Sequence, residues 1–358
     1  MGIDGCVKKN IMLLVMELGN SEYSKAFTMD AKCHMKYAFG ITAGTSYFTA
    51  VDFGKLHGNL CILAGKQNGE VDVRYYRTLR PVLSIAETDN CQVRSCGFYK
   101  EGIWAYFRTS FIKFWQILPD MTSVLINQIP VSYSGFSAVF VFNSPSIGEE
   151  VVIMPEDGDD WAIVTVRCLQ QQISYCMKTK DHSTKFKSLH ILVGNAFGSI
   201  QLWDVTREVI VAEARVHKEI VSELDFSALR STGVSCSPAD GVYIWRIDDE
   251  FCLRITHLIS RQQPRISRVH IFPGDMDMFI TADQVGTLTF LSLTCIEKKN
   301  VLNFHRKSVT CLRFAPREAG GWLLLVGSSD GVIVCWQMTD RCSSDSLVCE
   351  RTAAYTST

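Results

Sequence analysis

The stretch His190 to Asp204, H-I-L-V-G-N-A-F-G-S-I-Q-L-W-D, decides how the rest of the chain is read. Ile200 and Leu202 alternate with Ser199 and Gln201, which is the two-residue period of a half-buried strand. Val193-Gly194 ahead of Phe197-Gly198 supplies the tight turn that reverses the preceding apolar run into it. One copy would be a hairpin and nothing more. The same frame returns as L-V-G-S-S-D-G-V-I-V-C-W at Leu325 to Trp336, and in worn form as I-T-A-D-Q-V-G-T-L-T-F-L at Ile280 to Leu291. A frame that recurs along the chain makes the fold legible from its period.

Working outward, Asn68-Gly69 within C-I-L-A-G-K-Q-N-G-E-V-D-V-R (Cys61 to Arg74) is a strong hairpin turn, followed by G-I-W-A-Y-F-R-T-S-F-I-K-F-W from Gly102 to Trp115. A third, degraded unit is placed by spacing, with strands around Ser137 to Phe142 and Glu150 to Met154. The fifth runs from His217 to Trp245 and the seventh from His305 to Trp336. Taking Arg74, Trp115, Met154, Trp203, Trp245, Leu291 and Trp336 as equivalent gives spacings of 41, 39, 49, 42, 46 and 45 residues. These cluster around the roughly 40 to 45 residues of a four-stranded propeller blade. Seven equivalent positions predict an all-β, seven-bladed propeller.

No repeat follows Trp336, so the last blade lacks an outer strand of its own. Lys36 to Ile41, the first strand expected along the chain, is the candidate to close the ring and remove the exposed edge. The expected organisation is a poorly ordered leader over residues 1–34, the propeller over 35–338, and a flexible tail over 339–358.

With 47% hydrophobic and 20% charged residues, the chain has ample material for a core, which excludes pervasive disorder. A formal net charge of -1 argues against nucleic acid as a partner. The 14 cysteines are scattered; Cys91 with Cys96 and Cys342 with Cys349 match no zinc spacing, so they read as buried thiols of an intracellular, cytoplasmic or nuclear protein. Ile11 to Met16 is far too short to span a bilayer, and neither a signal peptide nor a myristoylation start is well formed, so no membrane is expected.

Among side-chain constellations, His305, Ser328, Asp330 and Trp336 suit a hydrogen-bonded chain running from indole to hydroxyl to imidazole to carboxylate, since buried donors must be satisfied. A nucleophilic triad has only residue identity in its favour. His217 with Trp245 reads as a partial version, and Trp203-Asp204 and Trp115 as framework positions. The lysine-rich insertion Lys178 to Ser188 reads as a solvated loop, with a basic docking loop as its rival. Glu156, Asp157, Asp159 and Asp160 make a polar turn rather than a calcium loop. No cofactor fingerprint or metal pattern is present, and no catalytic residue is assigned. Arg74, Arg108 and Trp161 are thinkable partner anchors, though unusual residues in a degenerate blade are as often core repairs.

The units resemble WD repeats, and the second half is similar to one family, the G-protein beta-subunit-like WD-repeat proteins, related to the fungal ASTRA-associated protein. The resemblance is carried by L-V-G-N-A-F-G-S-I-Q-L-W-D-V, H-K-E-I-V-S-E-L-D-F-S-A-L-R-S-T-G-V-S, V-Y-I-W-R-I-D and F-H-R-K-S-V-T-C-L-R-F-A-P with V-G-S-S-D-G-V-I-V-C-W. It implies a non-catalytic WD40 adaptor that works with the TTT co-chaperone and the RuvB-like ATPases to mature phosphatidylinositol-3-kinase-related kinases. Membership of a G-protein heterotrimer is not expected, because the leader has no heptad helix to pair with a gamma subunit. Two other classes remain open: a substrate receptor of a ubiquitin ligase, and a propeller hydrolase, for which carboxylates or histidines clustered at successive turns are missing.

Overall fold

The computed structural model describes residues 11–17, 33–86, 90–133, 135, 137–144, 149–157, 162–169, 174–176, 189–205, 207–260, 265–274, 277–317, 320–340 and 349–350. Alternating segments become strands, and the turn signals between them become hairpins. At the turn of the opening stretch, Gly198 has φ of 81°, and a Cβ there would meet the His217 carbonyl oxygen at 2.1 Å, so only glycine fits.

Seven antiparallel sheets form a ring of seven blades. From the inner strand outward, blade one is Phe48–Leu56, Asn59–Lys66, Glu70–Tyr75 and Pro81–Ala86. Blade two is Val93–Tyr99, Gly102–Phe107, Phe111–Ile117 and Ser123–Pro130. Blade three is Phe140–Ser144, Glu149–Asp157, Ala162–Cys168 and Ser174–Cys176. Blade five is Glu223–Ser227, Thr232–Ser237, Gly241–Ile247 and Leu253–Ser260. Blade six is Ile266–Ile271, Phe279–Asp283, Thr287–Leu291 and Lys298–Asn303.

Blade seven is Val309–Pro316, Trp322–Ser328, Val332–Asp340 and, outermost, Cys33–Thr42. The predicted closing strand is therefore in place, with Tyr37 opposite Trp336. Cys349–Glu350 pairs parallel with its outer side at Met35 and Lys36.

Blade four departs from the sequence reading. Its second to fourth strands are Leu189–Asn195, Ser199–Asp204 and Val209–Arg215, but its inner strand is Ile11–Glu17, from the stretch read as a leader. The pairing runs unbroken from Ile11 opposite Asn195 to Glu17 opposite Leu189. The register is that of a genuine blade. Asn195 Oδ1 accepts the backbone N–H groups of Phe197 and Ser199, as Asp283 Oδ1 accepts those of Val285 and Thr287, and Asp283 stands opposite Ile266 on its own inner strand. No local turn signal announces this strand, because its partner is encoded far along the chain. The Lys178 to Ser188 insertion lies outside the described residues, as do Asp159, Asp160 and Trp161.

The core sits in the seams between blades. Among the described residues seven apolar clusters are present, each shared by two neighbouring blades: Leu63 and Val73 pack with Ile103 and Trp115 across blades one and two, and Val151 and Ile153 with Leu189 and Ile191 across three and four. Hydroxyls pin several seams from the inside. The inner strands of blades one, six and seven each carry a one-residue bulge, at Thr49, Ser267 and Thr310. Each hydroxyl lies between a carbonyl of its own blade and one on the next inner strand. Thr49 reaches Gly65 O (3.2 Å) and Val93 O (2.6 Å), Ser267 reaches Ala282 O (3.2 Å) and Val309 O (3.1 Å), and Thr310 reaches Gly327 O (3.1 Å) and Phe48 O (2.6 Å).

Candidate functional site

The indole-to-carboxylate chain expected of the seventh blade is found in the fifth. Trp245 Nε1 donates to Ser235 Oγ at 3.2 Å, Ser235 Oγ lies 2.8 Å from His217 Nε2, and His217 Nδ1 lies 2.9 Å from Asp240 Oδ1. The carboxylate of Asp240 can only accept, so in the neutral ring Nδ1–H donates to it and Nε2 accepts the Ser235 hydroxyl hydrogen, while the indole N–H donates to the Ser235 oxygen. The carboxylate's other oxygen accepts the Lys218 N–H at 2.9 Å. Burial pushes the His217 imidazole below its ordinary value, with the hydrogen bond to Asp240 opposing, which favours the neutral ring in this tautomer. Gly233 makes room for the indole: a Cβ there would lie 2.2 Å from Trp245.

In blade seven only part of that chain forms. His305 Nδ1 is 3.1 Å from Asp330 Oδ2, which also accepts the Arg306 N–H at 3.0 Å. Ser328 turns away: its hydroxyl donates to Lys307 O at 3.0 Å and accepts the Asp330 N–H at 3.2 Å. His305 Nε2 is buried and has no hydrogen-bond partner among the described residues. Trp336 instead packs edge-on to Tyr37 and Phe304, ring centroids 5.8 and 5.9 Å away, so it binds the closing strand to the blade.

Trp203 is half-buried, with Nε1 on Gln201 Oε1 at 3.2 Å, and buried Asp204 accepts the Arg207 N–H at 3.2 Å. Trp115 is buried, edge-on to Phe107. Met154 is not equivalent to the other framework positions: it is buried on the second strand of blade three, Glu149–Asp157, whose third strand is Ala162–Cys168, so spacing alone misplaced it in the most degraded unit. Of the other degenerate positions, Leu291 is buried in an apolar cluster, whereas Arg74 donates to Leu79 O at 3.1 Å and lies 3.9 Å from Asp72. Sequence reading missed Ser235 and Asp240, both in the stretch V-S-C-S-P-A-D-G from Val234 to Gly241, because its turn is displaced by a residue from the frame of the other units.

Ser235, His217 and Asp240 have the connectivity of a hydrolytic triad without its access. Ser235 has no exposed surface, and its oxygen is occupied by the Trp245 N–H. Charges on the inner strands are likewise engaged with one another. Arg268 donates to Thr310 O through Nε and Nη2 (3.0 and 2.8 Å) and lies 3.2 Å from Glu223. Burial, with the field of Arg268, lowers Arg94 to about 10, and burial raises Asp52 against the pull of Arg313. The buried thiols are protonated for the same reason, Cys236 and Cys335 being pushed up to about 12 and Cys311 to about 11. Among the described residues no three His, Cys, Asp or Glu side chains group as metal ligands.

No family model matches the chain. It is similar to the mouse (Mus musculus) guanine nucleotide-binding protein subunit beta-like protein 1, 30% identical over 148 residues, which is 41% of this chain and 44% of that protein. The match thus spans less than half the length of that relative. The seven-bladed ring makes the chain a β-propeller, and over this partial match it is similar to a beta-like protein.

Proposed function

We propose that this propeller is a non-enzymatic adaptor of the G-protein beta-like kind, cytoplasmic or nuclear, that holds partners for the TTT co-chaperone and the RuvB-like ATPases during maturation of phosphatidylinositol-3-kinase-related kinases. The observation that carries the reading is the partial match to a beta-like protein on a closed propeller whose one triad-like group is sealed. A ring closed by Cys33–Thr42 is rigid, and a rigid surface binds without reorganising. Nothing in the proposed work requires a gamma subunit, nucleic acid, a membrane or a cofactor. Affinity purification of the tagged chain from cell extract, with mass spectrometry of what stays bound, tests it. Recovery of TTT subunits, RuvB-like ATPases or the large kinases supports the adaptor. Recovery of a cullin adaptor in their place makes it a ligase receptor instead.

A further inference from the structure

Between blades five and six lies a cavity of about 420 Å³, large enough for a small ligand group, and its lining includes Arg230, Arg246, Thr256, His257, Asp277 and Thr294. Its positive donors are under-used. Arg230 Nε is buried with no hydrogen-bond partner among the described residues, and Nη2 makes only a long contact, 3.4 Å, to Gly274 O. Arg246 is exposed and has no hydrogen bond or ion pair from its side chain among the described residues. The lining holds one carboxylate, Asp277, whose Oδ2 accepts from Ser292 and Thr294.

Arg246 also stands directly opposite Arg254 on the neighbouring strand, where only Arg254 is neutralised, by Asp248 at 3.0 Å. Like charges directly opposed across a sheet destabilise it. An arrangement that opposes two arginines and leaves a buried guanidinium nitrogen unsatisfied is costly until an anion enters. Two forked guanidinium groups and an imidazole suit a phosphate monoester, which offers three acceptor oxygens and close to two charges.

The cavity opens beside an edge strand, Leu253–Ser260, whose outer side is unpaired among the described residues and which exposes Ile255 (46%) and Leu258 (48%) on either side of His257. An extended peptide added to that edge covers these two side chains and brings one of its own to the cavity. We propose that this seam is a phosphopeptide site: a partner segment lies along Leu253–Ser260 and places a phosphorylated side chain between Arg230, Arg246 and His257. The site goes beyond the adaptor reading and stands whether or not the co-chaperone partners are correct.

The test is fluorescence anisotropy of the full chain with a degenerate peptide pool carrying one fixed phosphoserine, against pools with serine or glutamate at that position, and thermal shift with inorganic phosphate. Arg246→Glu and His257→Ala serve as variants; both residues are exposed, so the fold survives, which circular dichroism checks. The expected result is binding of the phosphoserine pool alone, weakened by about tenfold or more in Arg246→Glu. Equal binding of the serine or glutamate pool overturns the proposal, as does unchanged affinity in Arg246→Glu. A thermal shift with inorganic phosphate but no preference for the phosphorylated pool overturns the peptide and leaves a free-anion site.

Discussion

Asp225 of blade five crosses the seam to His270 of blade six. Its Oδ2 accepts from His270 Nδ1 and, at 2.8 Å, from the Ile271 N–H, while Oδ1 accepts the Phe226 N–H at 2.8 Å. One carboxylate thus ties two inner strands that share no ladder. Asp225→Ala should cost about 2 to 3 kcal/mol, the range for hydrogen bonds to a charged acceptor, and Asp225→Asn clearly less. Urea unfolding measures both, and hydrogen exchange should show lost protection at Ile271 before it spreads to other blades.

Removing Ser235 strands two groups at once, the Trp245 N–H and His217 Nε2. Ser235→Ala is expected to cost about 1 to 3 kcal/mol, whereas Ser328→Ala, which loses only local backbone contacts, should cost about 1 kcal/mol or less. The order of the two urea midpoints is decisive; a larger loss from Ser328→Ala contradicts the assignment of the full chain to blade five.

Burial holds both His217 and His305 below their ordinary value of 6.5. The unfolded chain therefore binds protons first as pH falls, so the stability these neutral rings contribute is complete above about pH 6.5 and is lost as pH drops toward the depressed folded values. His217→Gln removes one titrating ring and should flatten the fall in unfolding free energy between about pH 6.5 and 5. An unchanged slope refutes the neutral buried imidazole.

Thr310→Val keeps the shape of the side chain but removes the hydroxyl that reaches Phe48 O and Gly327 O. A loss of about 1 kcal/mol is expected, with the change in exchange protection confined to the seam between blades seven and one.

Much of the fold was legible because the blade period and the tryptophan ending survive in most units, and because the absence of a repeat after Trp336 demanded a closing strand. The network was harder to read. His305, Ser328, Asp330 and Trp336 have the right identities, yet Ser328 finds a nearer acceptor in Lys307 O, a choice made by backbone geometry. Ser235 and Asp240 were obscured by the Pro-Ala-Asp-Gly turn. Thr49, Ser267 and Thr310 carry no signature at all, since their role comes from a bulge and from a carbonyl on another blade. The cavity is equally silent in sequence, for Arg230, Arg246 and Asp277 meet only when two blades pack.

The strand Ile11–Glu17 sets the order in which the ring can be made. During synthesis it is complete long before Leu189–Asn195, its only ladder partner among the described residues, exists. At about 5 to 20 residues per second a ribosome needs on the order of ten seconds or more to supply that partner. Blades one and two, whose four strands are contiguous in sequence, can form in that interval; blade four cannot. Contacts between such distant segments are the slow ones to form, so a waiting strand of this kind is a natural client for a chaperone while the rest of the ring is translated.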